Sequence, residues 1–444
     1  MILKRTAEKQ LKAWKENPAR KPLIIKGARQ VGKTWLLKDF GKREFDDVAY
    51  FSFDEQPEIK QFFQTSKDVN RIVQNLSWVH RKPIVPAKTL IVLDEIQECN
   101  EALNSLKYFC ENTPEYAIAT AGSLLGVALA RGESFPVGKV DFIDIHPLTF
   151  MEFLQACDGS LVSFCDSILP DQPIPEFFFN ALVENFKMYL ITGGMPEAVG
   201  TMLEKRDVEM VQSILSNILR ANSLDFSKHI ERKDIPKIAY VWTSLPAQLA
   251  RENKKFLYQA VKPGARAREY EDAVNWLVNA GLVHKVFRNT KPALPVSAYD
   301  DLGAFKLYMY DVGLLRRMSQ LDPIAIREGN RLFTEFKGAL SENYILQSLI
   351  GQFEVTPRYW TSGNRAEIDY LIQYRNEIVP IEVKSGESIK GKSLAVYDNL
   401  FKPAVRIRYS LKNICIDNGL LNIPLFLADH TRRLLEAGLR DQET

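Results

Sequence analysis

The stretch Gly27-Ala28-Arg29-Gln30-Val31-Gly32-Lys33-Thr34 has the spacing GxxxxGK[ST]. Glycines at both ends let main-chain N–H groups turn inward around phosphates. Lys33 is placed to reach the β- and γ-phosphates, and the Thr34 hydroxyl to meet Mg2+. With Trp35, which opens the following helical run, residues 27–35 are the expected nucleotide contacts. The ligand implied is ATP with Mg2+.

A second group follows in "KTLIVLDEIQ", residues 88–97. Its apolar run ends in Asp94 and Glu95. After a phosphate loop, Asp94 suits the metal's water shell and Glu95 suits the base that deprotonates the attacking water. The bland alternative is a solvated loop. A third run, "EYAIATAGS" at residues 115–123, ends in small polar residues. Either Ser123 or Thr120 is a candidate sensor of the γ-phosphate, and Ser123 is equally suited to capping a helix. Asp54 and Glu55 end another strand, residues 48–55. Candidate cations for the transition state are Arg131 and Lys139, each equally readable as a surface charge.

The third group lies near the C-terminus, in "AEIDYLIQYRNEIVPIEVKSG", residues 366–386. Ile368, Tyr370 and Ile372 alternate, as do Val379, Ile381 and Val383, which predicts a hairpin turning at residues 374–377. Its other face carries Asp369, Glu382 and Lys384. This D…ExK order matches the restriction-endonuclease-like fold, where the acids hold a metal and the lysine polarises the hydrolytic water. Glu342, on a preceding helix, is a further candidate acid. The plain alternative is a surface strand pair joined by a salt bridge.

Such groups need strands and helices to hold them. A strand over 23–26 and a helix after Thr34 flank the loop, and strands alternate with helices through about residue 155. That pattern predicts an α/β fold with a parallel, doubly wound sheet, whose ligands bind at the strands' carboxyl ends. "FIDIHPLTFMEFLQ" then carries a capping-box pattern at Thr149 and Glu152. "PDQPIPE", residues 170–176, reads as a linker, Gly193-Gly194 as a helix break, and 201–230 as amphipathic helix.

From about residue 234 the order is helix, helix, strand, wing, strand. This predicts a winged helix, with Lys262, Arg266 and Arg268 near the start of its second helix, where a groove of DNA would be met. A protein partner is the competing reading. The expected domains are an ATPase core at 1–155, a helical lid at 156–232, a winged helix at 233–325 and an α/β endonuclease-like domain at 326–444.

Composition sets the outer limits. The 444 residues are 46% hydrophobic and 25% charged, with a formal net charge of +3, so no global field demands nucleic acid or membrane. Five scattered cysteines suggest reduced thiols, and the five scattered histidines suggest no zinc site. No run is long and apolar enough for a membrane span, and the charged N-terminus lacks a signal-peptide core. A cytoplasmic protein without a membrane partner is expected.

Taken together, the phosphate loop, "LDEIQ", "GGMPEAV", "KLYMYDVGLL", "FKGALSENYILQ" and the D…ExK hairpin resemble one family. It is the prokaryotic AAA-type ATPases that carry a C-terminal domain of unknown function similar to restriction endonucleases. The resemblance implies ATP binding through Gly27 to Thr34, Mg2+ at Thr34 and Asp94, and Glu95 as base. It also implies a nuclease-like cluster of Asp369, Glu382 and Lys384. Relatives often carry arginine after the glycine at position 138, where this chain has Lys139.

Three functions are then in play. One is an Mg2+-dependent ATPase whose hydrolysis moves the attached domains, with DNA as candidate partner. The second makes the C-terminal domain an ATP-regulated, metal-dependent nuclease. The third is a non-catalytic switch that assembles on DNA, on a protein or as a homo-oligomer.

Overall fold

Alternate residues of the first strands serve two different cores. The computed structural model describes residues 3–123, 135–227, 230, 232–251, 254–329, 334–363, 365–385 and 391–440. Within it, β1 (Leu23–Lys26), β2 (Asp47–Ser52), β3 (Thr89–Asp94), β4 (Ala117–Ala121) and β5 (Asp141–Asp144) form one parallel sheet in the order β2-β3-β4-β1-β5. Leu23, Ile25, Leu90 and Val92 enter the main core, while Ile24, Ile91, Leu93 and Ile118 enter a second one. Burial on both faces is why these strands read as unbroken apolar runs.

The order of this sheet does the positioning. Because β4 lies between β1 and β3, the segments after all three strands share one edge. Residues 27–34, Asp94 with Glu95, and Ser123 therefore meet there. Lys139 precedes β5 and so sits at the opposite edge, where its ammonium pairs with Glu111 at 3.0 Å. It is not at the loop, which corrects its candidacy as the cation. Arg131 lies outside the described residues. Thr120 is inside β4, fully buried, and its hydroxyl donates to the Leu23 carbonyl at 3.3 Å. Asp54 and Glu55 are exposed in the turn after β2.

Helices Phe150–Cys157, Glu176–Thr192, Pro196–Lys205 and Val208–Asp225 follow the sheet. The capping box at Thr149 and Glu152 is present in both directions, at 3.2 and 3.0 Å. The amphipathic stretch expected over 201–230 is split, because Arg206 adopts a left-handed φ of 52° between two helices. Next come helices Ile235–Leu249, Tyr258–Val261 and Ala267–Asn279.

β6 (Val283–Asn289), β7 (Asp300–Met309), β8 (Arg358–Thr361), β9 (Glu367–Tyr374), β10 (Glu377–Val383), β11 (Arg406–Ser410), β12 (Cys415–Asp417) and β13 (Leu420–Pro424) form a single eight-stranded sheet in the order β12-β13-β11-β10-β9-β8-β6-β7. The β6–β7 hairpin expected to belong to a separate wing thus joins the C-terminal sheet, through Arg288 beside Tyr359 and Asn289 beside Trp360. The expected boundary at 325/326 falls within the span of this continuous sheet. At Arg288 and Asn289, β8 covers the end of the β6 edge, whose main-chain groups would otherwise lack a strand partner.

Two of the sequence motifs explain each other at one junction. Gly193 and Gly313 pack backbone to backbone, so a Cβ on Gly313 would stand 2.6 Å from the Gly193 Cα. Beside them the buried Asp311 carboxylate accepts from Gly194 N at 2.7 Å and caps helix Val312–Met318 at Leu314 N. No helix among the described residues is long and apolar enough to cross a membrane.

Candidate active site

Residues 27–34 turn between β1 and helix Lys33–Glu44, and the backbone demands explain their identities. Gly27 has φ 146° and Gly32 has φ 90°, a region costly for side chains. A Cβ on Gly27 would also stand 2.2 Å from the Ile145 carbonyl oxygen. Arg5 braces the loop from behind, donating to the Val31 carbonyl at 2.9 Å while its Nε lies 3.3 Å from Glu152. Gln30 and Trp35 are exposed, whereas Ala28 and Val31 are buried.

Lys33 is buried and its ammonium donates to the Gly27 and Ala28 carbonyls at 2.9 and 2.7 Å. Burial lowers its pKa to about 8, against the opposing pull of Glu95 and Asp94, and the Arg29 charge adds to the lowering. The ammonium is thus held over the loop, ready to exchange carbonyl contacts for phosphate oxygens.

The Thr34 hydroxyl donates to the Asp94 carboxylate at 2.8 Å. Tyr50 donates to the same oxygen at 2.9 Å, and Glu95 N donates to the other at 3.1 Å. A hydroxyl and a carboxylate side by side are hard oxygen donors, the set that suits Mg2+. Glu95 has a left-handed φ of 50°, which turns it out of the strand line. Its Oε2 accepts from Gln97 Nε2 at 2.5 Å and from Ser123 Oγ at 3.4 Å. Ser123 in turn accepts from Arg29 Nε at 3.2 Å. Lys33, Thr34, Asp94, Glu95 and Ser123 therefore converge, and Thr120 does not.

Tyr50, Arg5 and the bond from Arg29 to Ser123 escaped the sequence reading. Tyr50 carries no local signal, and only the pairing of β2 with β3 brings it to Asp94.

Beside the loop lies a cavity of about 280 Å³, lined by Gly27, Ala28, Ser123, His146, Gly281 and His284 among others. Its far wall is the turn after helix Ala267–Asn279. His146 and His284 face each other there, with ring centroids 6.5 Å apart.

The C-terminal hairpin forms as expected, with a tight turn at Arg375-Asn376. Its alternation breaks at one point. The β8–β9 register shifts between Arg358 and Trp360, and Ile368 packs with Leu371 rather than with Tyr370 and Ile372. Asp369 sits at this irregularity and accepts from Val383 N at 2.8 Å. Burial, then the charge of Glu342, raise its pKa. Glu342 is bound by Lys254 and accepts from Tyr308 OH at 3.2 Å. Glu382 pairs with Lys384 at 2.9 Å and lies 3.6 Å from Arg408, yet its buried Oε2 accepts no hydrogen bond. Among the described residues, no group of three or more His, Cys, Asp or Glu is arranged to hold a metal.

Residues 19–154 match the model of an AAA domain. With its parallel sheet and phosphate loop, this region is an AAA-type, ATPase-like domain. Residues 183–325 match a domain of unknown function (DUF8612), and residues 337–426 match another (DUF4143). No curated protein matches the chain. Among solved structures, the chain is similar to the Walker-type ATPase PABY2304 of Pyrococcus abyssi, at 15% identity and a TM-score of 0.43, over 71% of this chain and 96% of that one. The ORC1 protein of Aeropyrum pernix, solved in complex with DNA, aligns at 14% identity and a TM-score of 0.29, over 73% and 94%. The RuvB Holliday junction branch migration motor of Thermotoga maritima aligns at 12% identity and a TM-score of 0.30, over 64% and 89%.

Proposed function

We propose that the chain is an Mg2+-dependent ATPase whose nucleotide state controls the segments built behind its phosphate loop. The observation that carries this reading is the Thr34–Asp94 contact, with Glu95 pinned beside it by Gln97 and Ser123. Thr34 and the Asp94 carboxylate would hold the ion. When bound, the ion neutralises charge on the β- and γ-phosphate oxygens. Lys33 binds the same oxygens. Glu95 takes a proton from water as the water oxygen bonds to the γ-phosphorus and the bond to the β–γ bridging oxygen breaks, leaving ADP and phosphate. Phosphate release by the purified chain tests this, with Glu95→Gln as control. Equal turnover in the wild type and Glu95→Gln would overturn the mechanism.

DNA is the partner we propose for the attached segments. Arg266 and Arg268 at the start of helix Ala267–Asn279, and Lys262 before it, are exposed and basic, as contacts to a phosphate backbone would be. ATP turnover that is unchanged by duplex or single-stranded DNA would count against it.

A second reading makes the C-terminal half an endonuclease-like domain. The buried Glu382 Oε2, which accepts no hydrogen bond although Arg408 stands 3.6 Å away, favours it, because a divalent ion would satisfy that oxygen. Glu382 and Asp369 would hold the ion and Lys384 would orient water. Cleavage of DNA or RNA that requires Mg2+ or Mn2+ and is lost in Lys384→Ala tests it. No cleavage, combined with ATP-dependent assembly seen by light scattering, would favour the switch.

A further inference from the structure

Three observations meet at Arg29. Its Nε donates to Ser123 Oγ at 3.2 Å, and that hydroxyl touches the Glu95 carboxylate at 3.4 Å. The Arg29 guanidinium is thus one hydroxyl away from the proposed base. Its Nη1 also binds both oxygens of Asp225, at 2.7 and 2.6 Å. Asp225 is the buried last residue of helix Val208–Asp225, where the helix dipole disfavours an anion and a cation is needed. Finally, the Arg29 charge is close enough to bear on the Lys33 ammonium.

We infer that Arg29 is the cation that meets the γ-phosphate, and that Asp225 holds it in reserve until ATP arrives. The inference rests on the ATPase reading. It supplies within the chain the charge that Lys139, at the far edge of the sheet, does not. The γ-phosphate competes with Asp225 for one guanidinium. ADP lacks that phosphate and leaves the ion pair in place.

Loss of the pair has a defined destination. Phe226, the next residue, stands edge-on to Trp242 at 6.1 Å and to Trp276 at 5.5 Å, both on helices of the following segment. Asn222 of the same helix donates to Tyr310 OH at 3.0 Å, and Arg317 donates to Ser216 at 2.7 Å. Freeing the carboxyl end of this helix therefore acts on the elements that lead to β6, β7 and the C-terminal sheet.

The test uses the full chain, with Arg29→Ala, Arg29→Lys and the isosteric Asp225→Asn. Titration with a slowly hydrolysed ATP analogue and with ADP gives the two affinities. Hydrogen exchange over residues 216–225 reports the helix end. We expect Asp225→Asn to bind the ATP analogue about 5-fold tighter or more, with ADP binding unchanged. We expect Arg29→Ala to lower turnover by about 100-fold or more and to lose the preference for ATP over ADP, while Arg29→Lys, lacking the planar fork, recovers only part. In the wild type the ATP analogue should speed exchange at 216–225, and in Asp225→Asn exchange should already be fast. Wild-type turnover and preference in Arg29→Ala would overturn the inference, as would wild-type affinities and exchange in Asp225→Asn. Should Arg29→Ala fail to fold, Asp225→Asn decides alone. A wild-type chain that binds no nucleotide would instead overturn the ATPase reading itself.

Discussion

The Thr34 hydroxyl and the Asp94 carboxylate, 60 residues apart in the chain, meet at 2.8 Å. The contact joins the loop after β1 to the tip of β3 across the width of β4. It fixes the pair that a nucleotide-bound Mg2+ would need. Lys33→Ala removes the cation over the loop and should weaken ATP binding by about 10-fold or more, since hydrogen bonds to charged groups contribute about 1.5–3 kcal/mol. Calorimetric titration with ATP and Mg2+ checks this, and unchanged affinity would contradict the assignment.

Tyr50 holds the Asp94 oxygen that Thr34 also uses. Tyr50→Phe removes one neutral donor to a carboxylate without changing shape. The expected result is a loss of about 5-fold in kcat/KM, corresponding to about 1 kcal/mol, with a higher Mg2+ requirement. A Mg2+ titration of turnover that overlays the wild type would exclude this role.

The Gly193–Gly313 contact leaves no room for a side chain. Gly193 has φ 72°, and its Cβ would meet Asp311 Oδ1 at 2.3 Å. Gly193→Ala should destabilise the chain by about 1–3 kcal/mol through overpacking, with backbone strain in addition. A denaturation midpoint equal to the wild type would show that the junction yields without cost.

The His146–His284 pair makes the packing beside the phosphate loop sensitive to acid. Burial keeps both rings below the ordinary histidine range, His284 down to about 3. A depressed histidine gives stability that is complete above its unfolded pKa of about 6.5 and is lost as pH falls below that value. Asp144 and Glu152 oppose the lowering at His146 and Arg5 adds to it, whereas the charge of His146 adds to the lowering at His284, so the loss from His284 continues to lower pH. Melting temperature should therefore drop between about pH 6.5 and 4, and His284→Phe should flatten that slope. Parallel slopes in the two proteins would rule the pair out as the cause.

The sequence by itself determined the local chemistry. GxxxxGK[ST] needs only neighbours along the chain, and unbroken apolar runs such as residues 89–93 already imply a strand covered on both faces. The cap at Thr149 and the break at Gly193 were legible for the same reason, because each rests on contacts within a few residues or on a backbone conformation that glycine permits. The order of strands was not legible. Lys139 is next to a glycine in the sequence but sits at the wrong edge of the sheet, since a parallel strand separates its start from its tip. Ile368 left its expected face because a register shift against β8 outweighed simple alternation. The union of β6 with β8 joined two expected domains into one sheet. Tyr50, Arg5 and Asp225 reach the site from remote positions. Which remote side chains meet is decided by packing and by strand pairing, and these act between segments whose own sequences carry no record of the partner.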